Sequence, residues 1–156
     1  MYALKSLYCS LIRSVLEYAV QVWAPHHAIH VQRIERVQKR FVWYAWYNPS
    51  SLPPYEQRCA LIGLQTLESR RLMLQRLYIF DILTGNIDCS NLLQNVRLQA
   101  PARQLRHQQF LWIPSHRTNY GQHNPLDACC RAFNQVCEVF DFNISKLVYK
   151  NRIKAF

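Results

Sequence analysis

Apolar residues near the start of the chain recur at three- and four-residue steps: Leu4, Leu7, Tyr8, Leu11, Ile12, Val15, Ala19 and Val22. Lys5, Ser6, Ser10, Arg13, Ser14, Glu17 and Gln21 fill the other side. This period predicts one amphipathic helix of about six turns with its apolar stripe inward. It should stop near Trp23-Ala24-Pro25, because proline removes a backbone donor and forces its predecessor out of the helical region. A second helix is predicted from about Ile29 to Tyr44, with Val31, Ile34, Val37, Phe41 and Ala45 inward. Asn48-Pro49-Ser50-Ser51 reads as the turn that ends it.

Pro53-Pro54 opens a short helix, Tyr55 to Leu61, for which Gly63 supplies a left-handed end. Thr66 suits the cap of the next helix, and Glu68 in its first turn suits the positive end of the dipole. That helix should run to Leu83 and stop at Gly85. From Asn86 to Gln122 the periodicity fades: turn residues surround a weak helix at Ser90 to Asn95, and Phe110-Leu111-Trp112-Ile113 reads as a short strand. Asn124-Pro125-Leu126-Asp127 combines a cap, a first-position proline and an early acid, a strong helix start. Leu126, Cys130, Phe133, Val136, Cys137 and Phe140 form the stripe that follows, and a last helix is expected at about Ile144 to Lys154. The fold class is therefore mainly α: a helical bundle over 1–85, a loop-rich connection over 86–124 and C-terminal helices over 125–156.

Composition sharpens this. With 156 residues, half of them apolar, the chain can bury a core. The longest uncharged apolar run is Phe41 to Tyr47, far short of a membrane span, and the start lacks the features of a secretory signal. An intracellular, non-membrane protein is expected. The six cysteines are irregularly spaced without C-x-x-C, so they read as reduced and mostly buried thiols. Lys and Arg number 19 against 9 Asp and Glu, a net charge of +10. An anionic partner follows, and 14 of the 19 cations are Arg, which suits bidentate phosphate contacts and stacking on flat rings.

The chemistry of metal-assisted phosphoryl transfer needs clustered carboxylates. No two Asp are adjacent, and the one close acidic pair, Glu138 with Asp141, reads as a solvated face. Three glycines, at 63, 85 and 121, form no phosphate-cradling loop or nucleophile elbow. His26, His27 and His30 lack a glutamate and a further ligand, so they read as a surface or turn cluster rather than a zinc site. No catalytic residue, metal, cofactor or small-molecule substrate is expected.

The cations form the stronger constellation. Arg33, Arg36 and Arg40 fall at i, i+3 and i+7 of the second predicted helix, with Lys39 beside them and Trp43 one turn beyond. Such a ridge can grip successive phosphates while the indole offers a stacking surface, although a merely solvated face carries the same pattern. Arg70, Arg71 and Arg76 make a second cluster, and Arg97, Arg103, Arg106 and Arg117 line the loop-rich connection.

Five strings then become informative together: LKSLYCSLIRSVLEYAVQVWAP (4–25), IERVQKRF (34–41), LPPYEQRCALIGLQTLESRR (52–71), FDILTGNIDCSNLL (80–93), and RTNYG (117–121) followed by Asn124 to Leu126. In this order they resemble the carboxy-terminal part of reverse transcriptases of jockey-like non-LTR retrotransposons, over nearly the whole chain. The resemblance implies that Leu4 to about Tyr47 are helices of a thumb that holds a template–primer duplex, followed by a post-thumb extension. It implies that Arg33, Arg36, Lys39 and Arg40 track the backbone of an RNA–DNA hybrid without reading its sequence. The family's endonuclease, fingers and palm, with the palm's adjacent Asp pair, have no counterpart among these residues, so the chain is not expected to polymerise alone. Met1 is expected to be the first methionine of a 5′-truncated reading frame, and the natural partner of the helices would be a palm domain. Two other readings stand beside this one: a remnant without function, made sticky by Trp23, Trp43 and Trp46, and a helical protein-interaction module.

Overall fold

A computed structural model describes residues 2–46, 53–99 and 109–154. The protein is mainly helical, and the chain divides into two compact units, 1–71 and 72–156. The division falls inside a helix rather than at residue 85, because the second half of that helix packs with the C-terminal helices into a core of its own. Among the described residues no helix is long and apolar enough to cross a membrane.

In the first unit the expected six-turn helix is broken. It consists of α1 (Tyr2–Leu7), a π-helical turn (Tyr8–Arg13), α2 (Ser14–Glu17) and α3 (Val20–Trp23). The wide turn shifts the register of side chains, and the Ser14 hydroxyl bonds back to the Ser10 carbonyl there. Ala19, at φ 49°, takes a left-handed conformation that costs an L-residue about 1–2 kcal/mol and separates α2 from α3. The stripe consequently does not face inward: Tyr8 and Val20 are buried, whereas Leu4, Leu7, Leu11, Val15 and Val22 are exposed.

Next come α4 (Ala28–Ala45) and α5 (Tyr55–Ile62). The predicted turn at Asn48 to Ser51 lies outside the described residues. Tyr8, Val42, Ala45, Cys59, Ile62 and Leu64 form the core, with Tyr8 stacked on Phe41 at 4.1 Å between ring centroids. Gly63 (φ 71°) ends α5 as expected: its amide bonds Ala60 O and the Leu64 amide bonds Cys59 O, the two bonds of a Schellman cap. The Lys5 ammonium adds a tertiary cap, donating to the carbonyls of Ile62 and Gly63 at 2.9 Å each. Such a cation also opposes the negative end of the helix dipole.

Helix α6 (Leu67–Leu83) begins in the first unit and ends in the second. The Thr66 hydroxyl accepts from the Ser69 amide, the expected cap, and Gly85 (φ 73°) ends the helix. In the second unit α7 (Ser90–Asn95) leads into β1 (Arg97–Leu98), which pairs antiparallel with β2 (Leu111–Trp112), Arg97 opposite Trp112. Then follow α8 (Asn119–Gln122), α9 (Pro125–Asn134), a 3-10 turn (Cys137–Val139) and α10 (Lys146–Arg152). Asn124 caps α9 through the Leu126 amide, with Pro125 in the first turn, as its sequence predicts.

The second core is aromatic. Phe80 stacks on Tyr149 at 4.6 Å, and Phe140 meets Phe80, Phe110 and Phe133 edge-on or tilted. Two polar contacts hold its periphery. The Asn134 carboxamide accepts from Leu111 N at 2.9 Å and donates to Leu111 O at 2.8 Å, so a side chain of α9 stands in for a third strand. Lys146 pairs with the buried Asp81 at 2.5 Å, fastening α10 to α6.

Two outcomes are expected from unfolding experiments. Gly63→Ala should destabilise by about 1–2 kcal/mol from the left-handed backbone, and further by the two Lys5 hydrogen bonds to the Ile62 and Gly63 carbonyls, since its new methyl would stand 2.8 Å from Lys5 Nζ and displace it. Gly85→Ala, where the added methyl meets open space, should show the backbone part only; equal losses in urea titrations would contradict this. Burial pushes the Cys129 thiol up to about 12 and Cys130 to about 11 from an ordinary 9.0. The unfolded chain therefore releases these protons first, so stability present below pH 9 should fall as pH rises toward 11–12, visible as a falling urea midpoint of the Trp112 signal.

Candidate nucleic-acid interface

Which way α4 faces is decided by two polar residues. Val37, expected inward, is 39% exposed, and Val31, Ile34 and Phe41 are half-buried. The innermost positions are Glu35, Gln38, Val42 and Ala45. Gln38 is fully buried and uses its whole carboxamide: Oε1 accepts from the Tyr8 hydroxyl at 2.9 Å, and Nε2 donates to Tyr55 Oη at 3.0 Å and to Gln65 O at 2.9 Å. Glu35 Oε1 accepts from the Tyr55 hydroxyl at 2.5 Å and from the Leu67 amide at 3.1 Å. Its carboxylate thus sits at the first turn of α6, where the helix dipole favours an anion. Burial, and for Tyr55 also the bond to Glu35, pushes both tyrosine hydroxyls well above the ordinary phenol range, so they act as donors at all physiological pH.

This network corrects part of the cationic assignment. Arg71, on the first turns of α6, is 5% exposed, with Nη2 4.0 Å from Glu35 Oε2; burial lowers its proton affinity. It is a buried counter-charge and cannot reach a solvent phosphate. Arg70 is half-buried and gives a bidentate ion pair to Glu17 of α2, which raises its proton affinity. Arg76 bonds Ala132 O and Gln135 Oε1. Carboxylates and carbonyls in the fold consume these cations, a fate that local sequence does not signal.

The first cluster has the opposite character. Arg33, Arg36, Lys39 and Arg40 are exposed and Trp43 is 57% exposed. With 3.6 residues per turn, Arg33, Arg36, Arg40 and Trp43 lie on the side of α4 opposite Glu35, Gln38 and Val42. Among the described residues none of the three arginines is paired with a carboxylate. Lys39 lies 5.2 Å from the Tyr55 ring centroid, tethered beside the ridge rather than on it. Trp43 makes an edge contact with Tyr44 at 5.1 Å, which steadies the indole while leaving it open to solvent.

Elsewhere Arg117 is exposed, whereas Arg103 and Arg106 lie outside the described residues. Arg97 lies over the Trp112 ring at 5.0 Å. The string 117–121 has a local logic: the Thr118 hydroxyl caps α8 through the Gly121 amide, and a side chain at Gly121 would strike the His116 ring at 2.8 Å. His116 in turn bonds the buried Asp127 at 2.9 Å. Among the described residues no three His, Cys, Asp or Glu side chains gather as a metal site, and none of the six cysteines is in a disulfide. Comparison with protein-family models, curated proteins and solved structures returns no match to this chain.

Adjacent positions on α4 should respond oppositely to mutation. Glu35→Leu should cost about 3–5 kcal/mol, because it strands the buried Arg71 charge, whereas Arg36→Leu should change stability by less than about 0.5 kcal/mol. Urea titrations of the two variants provide the check, and similar losses would refute the assigned rotation of the helix.

Proposed function

We propose that this chain corresponds to the thumb and post-thumb part of a non-LTR retrotransposon reverse transcriptase, and that it binds template–primer duplex through the exposed face of α4. The observation that carries this reading is the separation of charge on one helix. Its inward side is occupied by Glu35 and Gln38, and its outward side presents Arg33, Arg36, Arg40 and Trp43 without carboxylate partners among the described residues. Arginines at i, i+3 and i+7 match successive phosphates along a backbone, and no residue set suited to reading base edges accompanies them. Binding is therefore indifferent to sequence. Residues 1–156 hold no adjacent Asp pair, so polymerisation would need a palm from elsewhere.

The exposed stripe of 2–23 supports the same reading. Leu4, Leu7, Leu11, Val15, Tyr18 and Val22 lie open on a segment whose charged side chains, Lys5, Arg13 and Glu17, are half-buried and engaged within the unit. In a full-length polymerase a palm would cover such a face. The same stripe favours the second reading, a helical protein-interaction module, which a defined complex surviving nuclease treatment would support.

Titration of a labelled RNA–DNA hybrid with the full chain across a salt series tests the proposal. The logarithm of affinity should fall with that of salt at a slope of about −2 to −3 for three phosphate contacts. Arg36→Glu and Arg40→Glu should each weaken binding and flatten that slope by about 1 or more. Binding that ignores salt, or that survives both reversals, would overturn the interface.

A further inference from the structure

The ridge does not begin at Arg33. His26, His27 and His30 stand at and just before the first turn of α4, all exposed, with ring centroids 4.0 Å apart for His26 and His27 and 6.1 Å apart for His27 and His30. His30 precedes Arg33 by three residues, so it is the neighbour of Arg33 one turn earlier, at the edge of the cationic face. Building on the interface proposed above, we infer that His27 and His30 are further phosphate contacts of that face, and that they make its grip on a nucleic-acid backbone tighten as pH falls.

Three observations support this. First, among the described residues no Asp or Glu oxygen lies within 4.0 Å of His27 or His30, so no carboxylate already uses these two rings. The contrast is His116, which is held by Asp127 at 2.9 Å and is thereby committed to the fold. Second, the nearest charged side chain along the same helix is Arg33, a cation. On α5, which packs against α4, the charged side chains are Glu56 and Arg58. On the nearby first turns of α6, Arg70 and Arg71 are matched to Glu17 and Glu35, leaving Glu68 exposed. Third, the imidazoles cluster at the end of α4 that adjoins Arg33, which is in no ion pair among the described residues.

The coupling has a fixed sign. A neutral imidazole offers a phosphate at most one N–H donor, whereas an imidazolium offers two donors and a full charge. An anion beside the rings therefore favours their protonated form, and by linkage the protonated form favours the anion. Affinity gained this way is present while the rings carry the proton and is lost as rising pH removes it. Each imidazolium that replaces a condensed counterion also adds up to about 0.9 to the magnitude of the salt slope.

The test compares the full chain at about pH 6 and about pH 8, at matched ionic strength, with the same labelled RNA–DNA hybrid and circular dichroism to verify folding. The expected result is an affinity at least about threefold higher and a steeper salt slope at the lower pH. A double variant, His27→Gln with His30→Gln, should bring the ratio of the two affinities close to one. His123→Gln, in the second unit, should leave that ratio as in the parent chain. Salt-dependent binding with equal affinity at both pH values would overturn this inference while leaving the α4 interface intact. A ratio that persists in the double variant would overturn it too, placing the titrating group elsewhere. Absence of binding at either pH would remove the interface itself and this inference with it.

Discussion

The first unit depends on hydrogen bonds around one carboxamide. Gln38 accepts from Tyr8 and donates to Tyr55 and to the Gln65 carbonyl, so it joins the π-helical turn, α5 and the approach to α6 at one buried point. Glu35, one turn earlier, extends the network to the Leu67 amide and Arg71. Each buried bond left unmade costs about 1–3 kcal/mol; Gln38 and Glu35 Oε1 make theirs, while Glu35 Oε2 and Arg71 meet as an ion pair at 4.0 Å without a hydrogen bond. The rotation of α4 is therefore specified far more tightly than a purely apolar face would require. Turning the helix to bury Val37 would strand both Gln38 and Glu35.

That constraint sorts the cations. Inward Glu35 draws Arg71 into the interior, and Glu17 of α2 draws Arg70 against the fold, so neither guanidinium is available to a ligand. The same rotation leaves Arg33, Arg36 and Arg40 on the far side of α4. A basic sequence thus divides into cations that hold the fold together and cations left exposed, and residues 1–71 carry four carboxylates, Glu17, Glu35, Glu56 and Glu68, to make the division. Two of the four are spent on α6.

The second unit is built on a different principle. Its core is a set of stacked and edge-on rings from Phe80, Phe110, Phe133, Phe140 and Tyr149, whose large apolar areas and directional quadrupoles supply both burial and orientation. A strand pair of two residues each could not stand alone, and Asn134 completes its hydrogen bonding from a helix.

Local signals were legible in the sequence wherever the physics is local. Proline at 25 and 125, the Thr66 and Asn124 caps and the left-handed glycines at 63 and 85 placed helix ends correctly, because caps and backbone preferences act within one turn. Periodicity likewise indicated α4, α5, α6 and α9, and with them the exposed ridge at Arg33, Arg36 and Arg40. It failed where a residue's environment is supplied by distant chain. The stripe of 2–23 has a helical period yet lies largely exposed, interrupted by a π turn and by Ala19, since periodicity records that a face is apolar and not whether anything covers it. Val37 and Gln38 exchanged places because Gln38 finds partners 30, 17 and 27 residues away, at Tyr8, Tyr55 and Gln65. By itself the sequence determined most of the helical segments, several of their ends and which helix carries a cationic ridge, while it missed α8 and the breaks within 2–23. Tertiary structure alone decided which polar residues turn inward and which arginines stay free, because satisfying a buried hydrogen bond or charge requires partners that only folding brings together.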